Sequence, residues 1–308
     1  MSAWRPEHAA QLLTAYTVLR RSADGEPPAE VLYRQWYAVR SPAAIPFRPW
    51  DAPISAVARA AHGSASDWAD ADSVVVATGV AGVVVVAMPG GRRALCRGEY
   101  VTTSGRPGFP PRVGDRVRAL RRLGASAQDG WWRTWGEGWD RRNVPDELDR
   151  VYLRVRAGKT ASLVNVVTSA LGHANSRSCA WLLKVAAIPD ELTRADGCVL
   201  YVAGADRERV RAMVADRVTG LTQGSPPPLT ETVADGVGWA EDPGTGESFG
   251  EVRCAAIAAA YERVLSARAP SDAVSADEWL DEVAQEFRRR AIQPRSPHRT
   301  TREAEVAT

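Results

Sequence analysis

Residues 177–203 read RSCAWLLKVAAIPDELTRADGCVLYVA. Two short apolar runs, Ala180–Ala186 and Val199–Ala203, flank the polar turn Thr193-Arg194-Ala195-Asp196-Gly197, which is the pattern of neighbouring β-strands. Period-two alternation sets Trp181, Leu183 and Val185 on one face of the first run and Leu182, Lys184 and Ala186 on the other. A lysine inside an apolar run is the anomaly. The chain carries 39 Lys and Arg residues, and all but Lys159 and Lys184 are arginine. Arginine stays protonated at any working pH, whereas a partly buried lysine loses its proton readily and then acts as a base. Lys184 and Lys159 are therefore the first candidates for chemistry.

Upstream, Asp149–Arg156 reads as a strand with Val151, Leu153 and Val155 on one face and Tyr152, Arg154 and Arg156 on the other. Gly158-Lys159-Thr160 is a turn, and Ala161–Leu171 has the composition of a helix. With the apolar sets facing a core, Tyr152, Arg154, Arg156 and Lys184 share the opposite face of one sheet. Arg194 lies in the connection that follows, and Tyr201 in the next strand. Such a patch complements an anion.

Further out, Val74–Ala77, Val83–Ala87 and Arg93–Arg97 are β-rich runs separated by glycines and by the hairpin signal Pro89-Gly90-Gly91. Arg116–Arg121 and Trp131–Trp135 extend the series, so a meander is the economical arrangement. The N-terminal part is helical over His8–Arg21 and again after Pro27-Pro28, where Tyr33, Trp36 and Tyr37 form a stripe suited to core packing. A Pro-rich connection through Pro42, Pro46, Pro49 and Pro53 leads to a short helix at Ile54–Ala61 and then to Trp68. Helices are also expected over Asp206–Val218, Phe249–Ala267 (with Ser248 and Glu251 spaced as a capping box) and Asp277–Arg290. The fold class is α+β, a mostly antiparallel twisted sheet flanked by helices. One domain spans 1–293, with a helical start (1–62), a sheet-rich middle (73–203) and a helical end (249–292), and residues 294–308 form a disordered tail.

Composition excludes several classes. The net charge of +2 is spread through the sequence, which argues against nucleic acid and anionic membrane as partners. Cys96, Cys179, Cys198 and Cys254 have neither disulfide-framework nor metal spacing, so no metal or other cofactor is expected. No basic and apolar leader or long uncharged run is visible, which fits a cytoplasmic location. Gly158-Lys159-Thr160 is not a P-loop, because the first glycine of that motif falls on Leu153; free N–H groups at the helix start still suit a phosphate. Gly244, Gly246 and Gly250 miss the dinucleotide-binding spacing. His173, near a helix end, is either a solvent-exposed side chain or a proton donor.

Several segments in order carry a resemblance. They are Arg150-Val151-Tyr152-Leu153, Leu183-Lys184-Val185, Thr193-Arg194-Ala195-Asp196 with Val199-Leu200-Tyr201, Gly236-Val237-Gly238, Ala240-Glu241-Asp242-Pro243, and Glu247 through Arg253. Together they resemble the HopA-type type III effector family over roughly residues 30–265. Actinobacterial members, similar in their Arg-rich and Ala-rich texture, are lyase components in making class V lanthipeptides and thioamide-containing peptides. The resemblance implies elimination of phosphate from phosphoserine or phosphothreonine of a ribosomal precursor peptide, bound through its leader, to give dehydroalanine or dehydrobutyrine. The chain lacks kinase signatures, so a separate phosphotransferase-like kinase is the implied partner.

The residues assign themselves to that chemistry as follows. Lys184 is the base; Tyr201, Tyr152 or His173 is the proton donor; Arg154, Arg156, Arg194 and Lys159 hold phosphate. The alternative is a non-catalytic module that scaffolds the kinase, the leader peptide or a phosphate-bearing ligand.

Overall fold

The computed structural model describes residues 3–22, 25–40, 52–63, 69, 71–88, 91–106, 108–119, 124–136, 138–140, 143–173, 179–267 and 274–300. The Pro-rich connection through Pro42, Pro46 and Pro49, Trp68, the Pro89-Gly90 pair and residues 301–308 lie outside them. In chain order the strands are β1 (Ser73–Thr78), β2 (Val84–Met88), β3 (Gly91–Leu95), β4 (Tyr100–Thr102), β5 (Arg116–Ala119) and β6 (Gly124–Gln128). They continue with β7 (Trp131–Trp135), β8 (Leu148–Leu153), β9 (Trp181–Ala186), β10 (Cys198–Ala203), β11 (Glu231–Ala234) and β12 (Val237–Glu241). The α-helices are α1 (Pro6–Arg21), α2 (Pro28–Leu32), α3 (Ile54–Ala61), α4 (Thr160–His173), α5 (Pro189–Leu192), α6 (Arg207–Arg217), α7 (Phe249–Ser266) and α8 (Ala276–Arg289). The fold is α+β.

The strands form two antiparallel sheets rather than one meander: a five-stranded sheet ordered β3-β2-β1-β5-β4 and a seven-stranded sheet ordered β11-β12-β8-β10-β9-β7-β6. The separation has a packing cause. Val75, Val84, Val86, Leu95, Val117 and Ala119 close a small core of their own, while β7 pairs with β9 in the register Trp132↔Val185 and Arg133↔Lys184.

The seven-stranded sheet is covered on both faces. Val151, Leu153, Leu183, Val185, Leu200 and Val202 pack with Leu163, Val164 and Val167 of α4 and Val210 and Val214 of α6. This is the apolar set expected from alternation. The other face is not uniformly polar: Tyr152, Val199 and Ala240 join a second core with Leu12, Leu32, Tyr37, Phe249, Ile257, Trp279 and Phe287. Helix α7 enters this layer from a capping box in which Ser248 accepts from the Glu251 N–H and Glu251 accepts from the Ser248 N–H. Among the described residues, the part of this face beyond the α7 layer is open, and there the cleft described below forms.

Two expectations need correction. The strand expected over Asp149–Arg156 leaves the sheet after Leu153, because the Arg154 carbonyl accepts from the Gln223 N–H and the Arg156 N–H donates to the Leu221 carbonyl, so that 154–156 pairs with residues 221–223 instead of continuing along β12. Arg154 and Arg156 therefore do not extend the polar ladder. Residues 294–300, expected to be a disordered tail, form a packed strap. Arg253, 1% exposed, donates to the carbonyls of Pro297 (3.0 Å) and Arg299 (3.3 Å). The Glu241 N–H donates to the His298 carbonyl (2.8 Å), and the Thr300 N–H donates to the Glu241 carboxylate (2.9 Å). A buried guanidinium must find acceptors; here the polar tail supplies them.

Candidate functional site

The site is built from two rows of side chains that cross the sheet. One row runs Arg133, Lys184, Val199, Tyr152, and the next runs Trp135, Leu182, Tyr201, Arg150, Ala240. Each residue pairs directly with its neighbour across the strands, and the rows are two residues apart, so both point to the same face. Val199, Tyr152 and Ala240 go under the α7 layer. Arg133, Lys184, Leu182, Tyr201 and Arg150 line a cleft of about 640 Å³, with Lys184, Arg133, Arg150 and Tyr201 on its floor. Trp139, Val144 and Pro145, from the connection between β7 and β8, and Leu148, the first residue of β8, form one wall, and the Asp242–Gly246 loop forms part of the rim.

Lys184 is half-buried, with its ammonium over the Trp131 ring, 3.9 Å from the centroid. Burial, and then the positive charges of Arg133 and Arg150, push its pKa down to about 8. Arg150, 7% exposed, donates to Asp242 (2.6 Å) and to the Glu247 carbonyl (3.1 Å), and its guanidinium carbon lies 5.1 Å from the Tyr201 ring centroid. The paired Asp242 makes a cation at this depth tolerable. Burial raises the Tyr201 pKa against the opposing charge of Arg150, so the hydroxyl keeps its proton.

The other sequence candidates separate. Tyr152 is in the right row but is 2% exposed beneath Phe249 and does not line the cleft; burial pushes its pKa up to about 12. Arg194 is engaged: it donates to both carboxylate oxygens of Asp196 (2.8 and 2.7 Å), to Glu191 and to the Tyr33 hydroxyl (3.1 Å). Its charge still reaches Lys184, adding to the downward push, but its hydrogen-bonding fork is turned to protein partners. Arg154 donates to the Ser225 carbonyl (3.0 Å) and does not line the cleft. Arg156 and Lys159 are exposed and follow the end of β8, whereas the cleft adjoins its beginning at Leu148 and Arg150. His173 ends α4, which packs on the sheet's opposite face, and its side chain is outside the described residues.

Three cleft residues escaped the sequence argument: Arg133, Arg150 and Asp242. Arg150 shares the parity of Tyr152, and Arg133 that of Trp131 and Trp135, so alternation carried both signals; nothing local to Asp242 marks it as the partner of a residue 92 positions away. Chemically, the cleft pairs a lysine of lowered pKa with cations able to receive an anion, next to a protonated phenol. Among the described residues no three His, Cys, Asp or Glu side chains converge as metal ligands, and no helix is long and apolar enough to cross a membrane.

Comparison with known proteins accords with this architecture. An effector protein structure from Pseudomonas syringae pv. tomato strain DC3000 superimposes with a TM-score of 0.55 at 12% identity, covering 96% of this chain and 98% of that one. A second effector structure, from Pseudomonas syringae pv. syringae strain 61, gives a TM-score of 0.38 at 14% identity over 56% of this chain and 63% of that one. The first of these shows a shared fold. No curated protein matches the sequence. Residues 126–299, which contain the seven-stranded sheet apart from the first two residues of β6, and with it the whole cleft, match the HopA1 effector protein family. Since that match spans more than half of the sequence, the chain belongs to the HopA1 effector protein family.

Proposed function

We propose that the protein is a carbon–oxygen lyase that removes phosphate from phosphoserine or phosphothreonine of a ribosomal precursor peptide, after a separate phosphotransferase-like kinase has installed it. The observation that carries this reading is the half-buried Lys184, with its pKa near 8, beside Arg133, Arg150 and Tyr201 in one open cleft. Elimination needs a base for the α-proton and positive charge for the leaving phosphate. Lys184 Nζ takes the Cα proton, the C–H electron pair becomes the Cα=Cβ bond, and the Cβ–O bond breaks with its electrons leaving on phosphate. Arg133 and Arg150 receive the phosphate charge, and the Tyr201 hydroxyl donates a hydrogen bond to the departing oxygen. The products are dehydroalanine or dehydrobutyrine and inorganic phosphate.

A second reading, a non-catalytic module that holds a phosphate-bearing ligand, is favoured by one contact: the Trp131 ring stabilises Lys184 in its charged form. Incubating the purified full chain with a synthetic phosphoserine peptide separates the two. Loss of one phosphoric acid by mass spectrometry is expected. Bound but unconverted phosphopeptide would overturn the lyase reading in favour of the module.

A further inference from the structure

The cleft lining carries two kinds of side chain. Lys184, Arg133 and Arg150 are cationic; Leu182, Trp139, Val144, Pro145 and Leu148 are apolar. Val144 is 45% exposed and Leu182 and Trp139 are half-buried, so this wall meets solvent instead of a packed layer. Its position relative to the cations is fixed by β9, since Leu182 and Lys184 are two residues apart on one face of the strand. Side chains so placed are separated by roughly 7 Å along the strand, which is also the same-face repeat of any extended peptide.

We propose that Leu182 and the apolar wall beside it are a subsite for an apolar side chain of the substrate peptide, two positions from the phosphorylated residue. The proposal rests on the phosphopeptide reading above and adds a sequence preference to it. When a phosphorylated side chain of an extended peptide meets Lys184, the side chain two residues along meets Leu182 and the Trp139 wall. Covering that wall removes apolar surface from water on both partners. Asp146, exposed on the same wall segment, disfavours an acidic residue there. The subsite thus selects an apolar neighbour and rejects an acidic one.

The test measures binding rather than turnover. Fluorescein-labelled peptides with one phosphoserine, and with Leu, Gly or Glu two positions to either side of it, are titrated with the full chain and followed by anisotropy. The Leu peptide is expected to bind about tenfold more tightly than the Gly peptide in at least one of the two directions. The Glu peptide is expected to be the weakest. In Trp139→Ala and Leu182→Asp, each checked for folding by circular dichroism, the difference between Leu and Gly is expected to vanish. Equal affinities in the wild type, or a preference that survives both substitutions, would overturn the subsite while leaving phosphate recognition standing. Failure of every phosphopeptide to bind the folded protein would overturn the phosphopeptide reading and the subsite with it.

Discussion

The Lys184 ammonium rests 3.9 Å from the centroid of the Trp131 ring, on the neighbouring strand. Opposing influences meet at that nitrogen: the ring favours the charged form, while burial, Arg133 and Arg150 disfavour it. Burial and the neighbouring charges alone set the pKa near 8, which keeps a useful fraction of free amine at neutral pH. Replacing Lys184 by Ala is expected to leave a folded protein that binds phosphopeptide but eliminates phosphate about 10²- to 10⁴-fold more slowly. Lys184→Arg retains the charge without the removable proton and is expected to be as slow. A fast Arg variant, read by mass loss, would recast this residue as a phosphate ligand.

The pH profile follows with its sign. A base must be unprotonated, so the elimination rate should climb as pH rises through about 8 and then level off. Arg133 lowers the Lys184 pKa by its charge. In Arg133→Gln the rising limb should therefore move to higher pH. A limb that stays in place, in rates taken at saturating phosphopeptide, would remove Arg133 from the electrostatics of the base.

Arg194 should behave as a structural residue. Its fork closes on Asp196 and Glu191, with side-chain exposures of 17% for Arg194 and 8% for Asp196. Arg194→Met leaves the Asp196 carboxylate buried without its main partner and is expected to cost about 2 kcal/mol in denaturant unfolding, less than for a fully buried pair because the arginine is partly solvated. Phosphopeptide affinity should change far less than in Arg133→Gln.

The C-terminal strap should be needed for stability. Ending the chain after Gln293 strips Arg253 of the Pro297 and Arg299 carbonyls and uncovers Glu241. The unfolding midpoint is expected to fall by about 5 °C or more. An unchanged midpoint would show that the strap contributes nothing.

His298, 3% exposed beside Trp239 and 3.4 Å from Glu231, is held neutral: burial pushes its pKa down to about 4. The unfolded chain takes up the histidine proton near pH 6.5, so it binds more protons than the folded chain between those values. Folding stability should accordingly fall as pH drops from 6.5 towards 4 and lose nothing further from this group below that. His298→Gln should flatten that part of the stability curve measured by urea unfolding.

Alternation along β8 and β9 was enough to place Tyr152 and Lys184 opposite the apolar sets of their strands, because a strand's period is fixed by the backbone whatever surrounds it. That Tyr201 shares their face follows from the register of β10, which the sequence does not show. The helices were legible for a similar reason, and the Ser248 cap marks the start of α7 to the residue. What alternation cannot supply is where a strand stops or which parts of a face lie beneath another layer. Arg154 has the same parity as Tyr152, yet the chain leaves the sheet there, drawn off by pairing with residues 221–223. Tyr152 has the right parity and position but lies under Phe249, a residue 97 positions later. The strap shows the same limit in composition: a Pro- and Arg-rich tail looks solvated until a buried arginine in a distant helix turns out to need its carbonyls.

The sheet order has a consequence for how the molecule is assembled. Strand β12 joins β8 in the register Asp149↔Glu241, so the side of the sheet beyond β8 is completed by a segment synthesised long after β8, β9 and β10. Until β12 arrives, β8 presents an unpaired edge, and until α7 docks, Tyr152 and Val199 face water. Contacts of such long sequence separation slow folding and leave a sticky intermediate. A chain that stops before residue 242 therefore has Lys184 in its strand but no Asp242 to pair with Arg150, so the floor of the cleft is assembled only after β12 has been made.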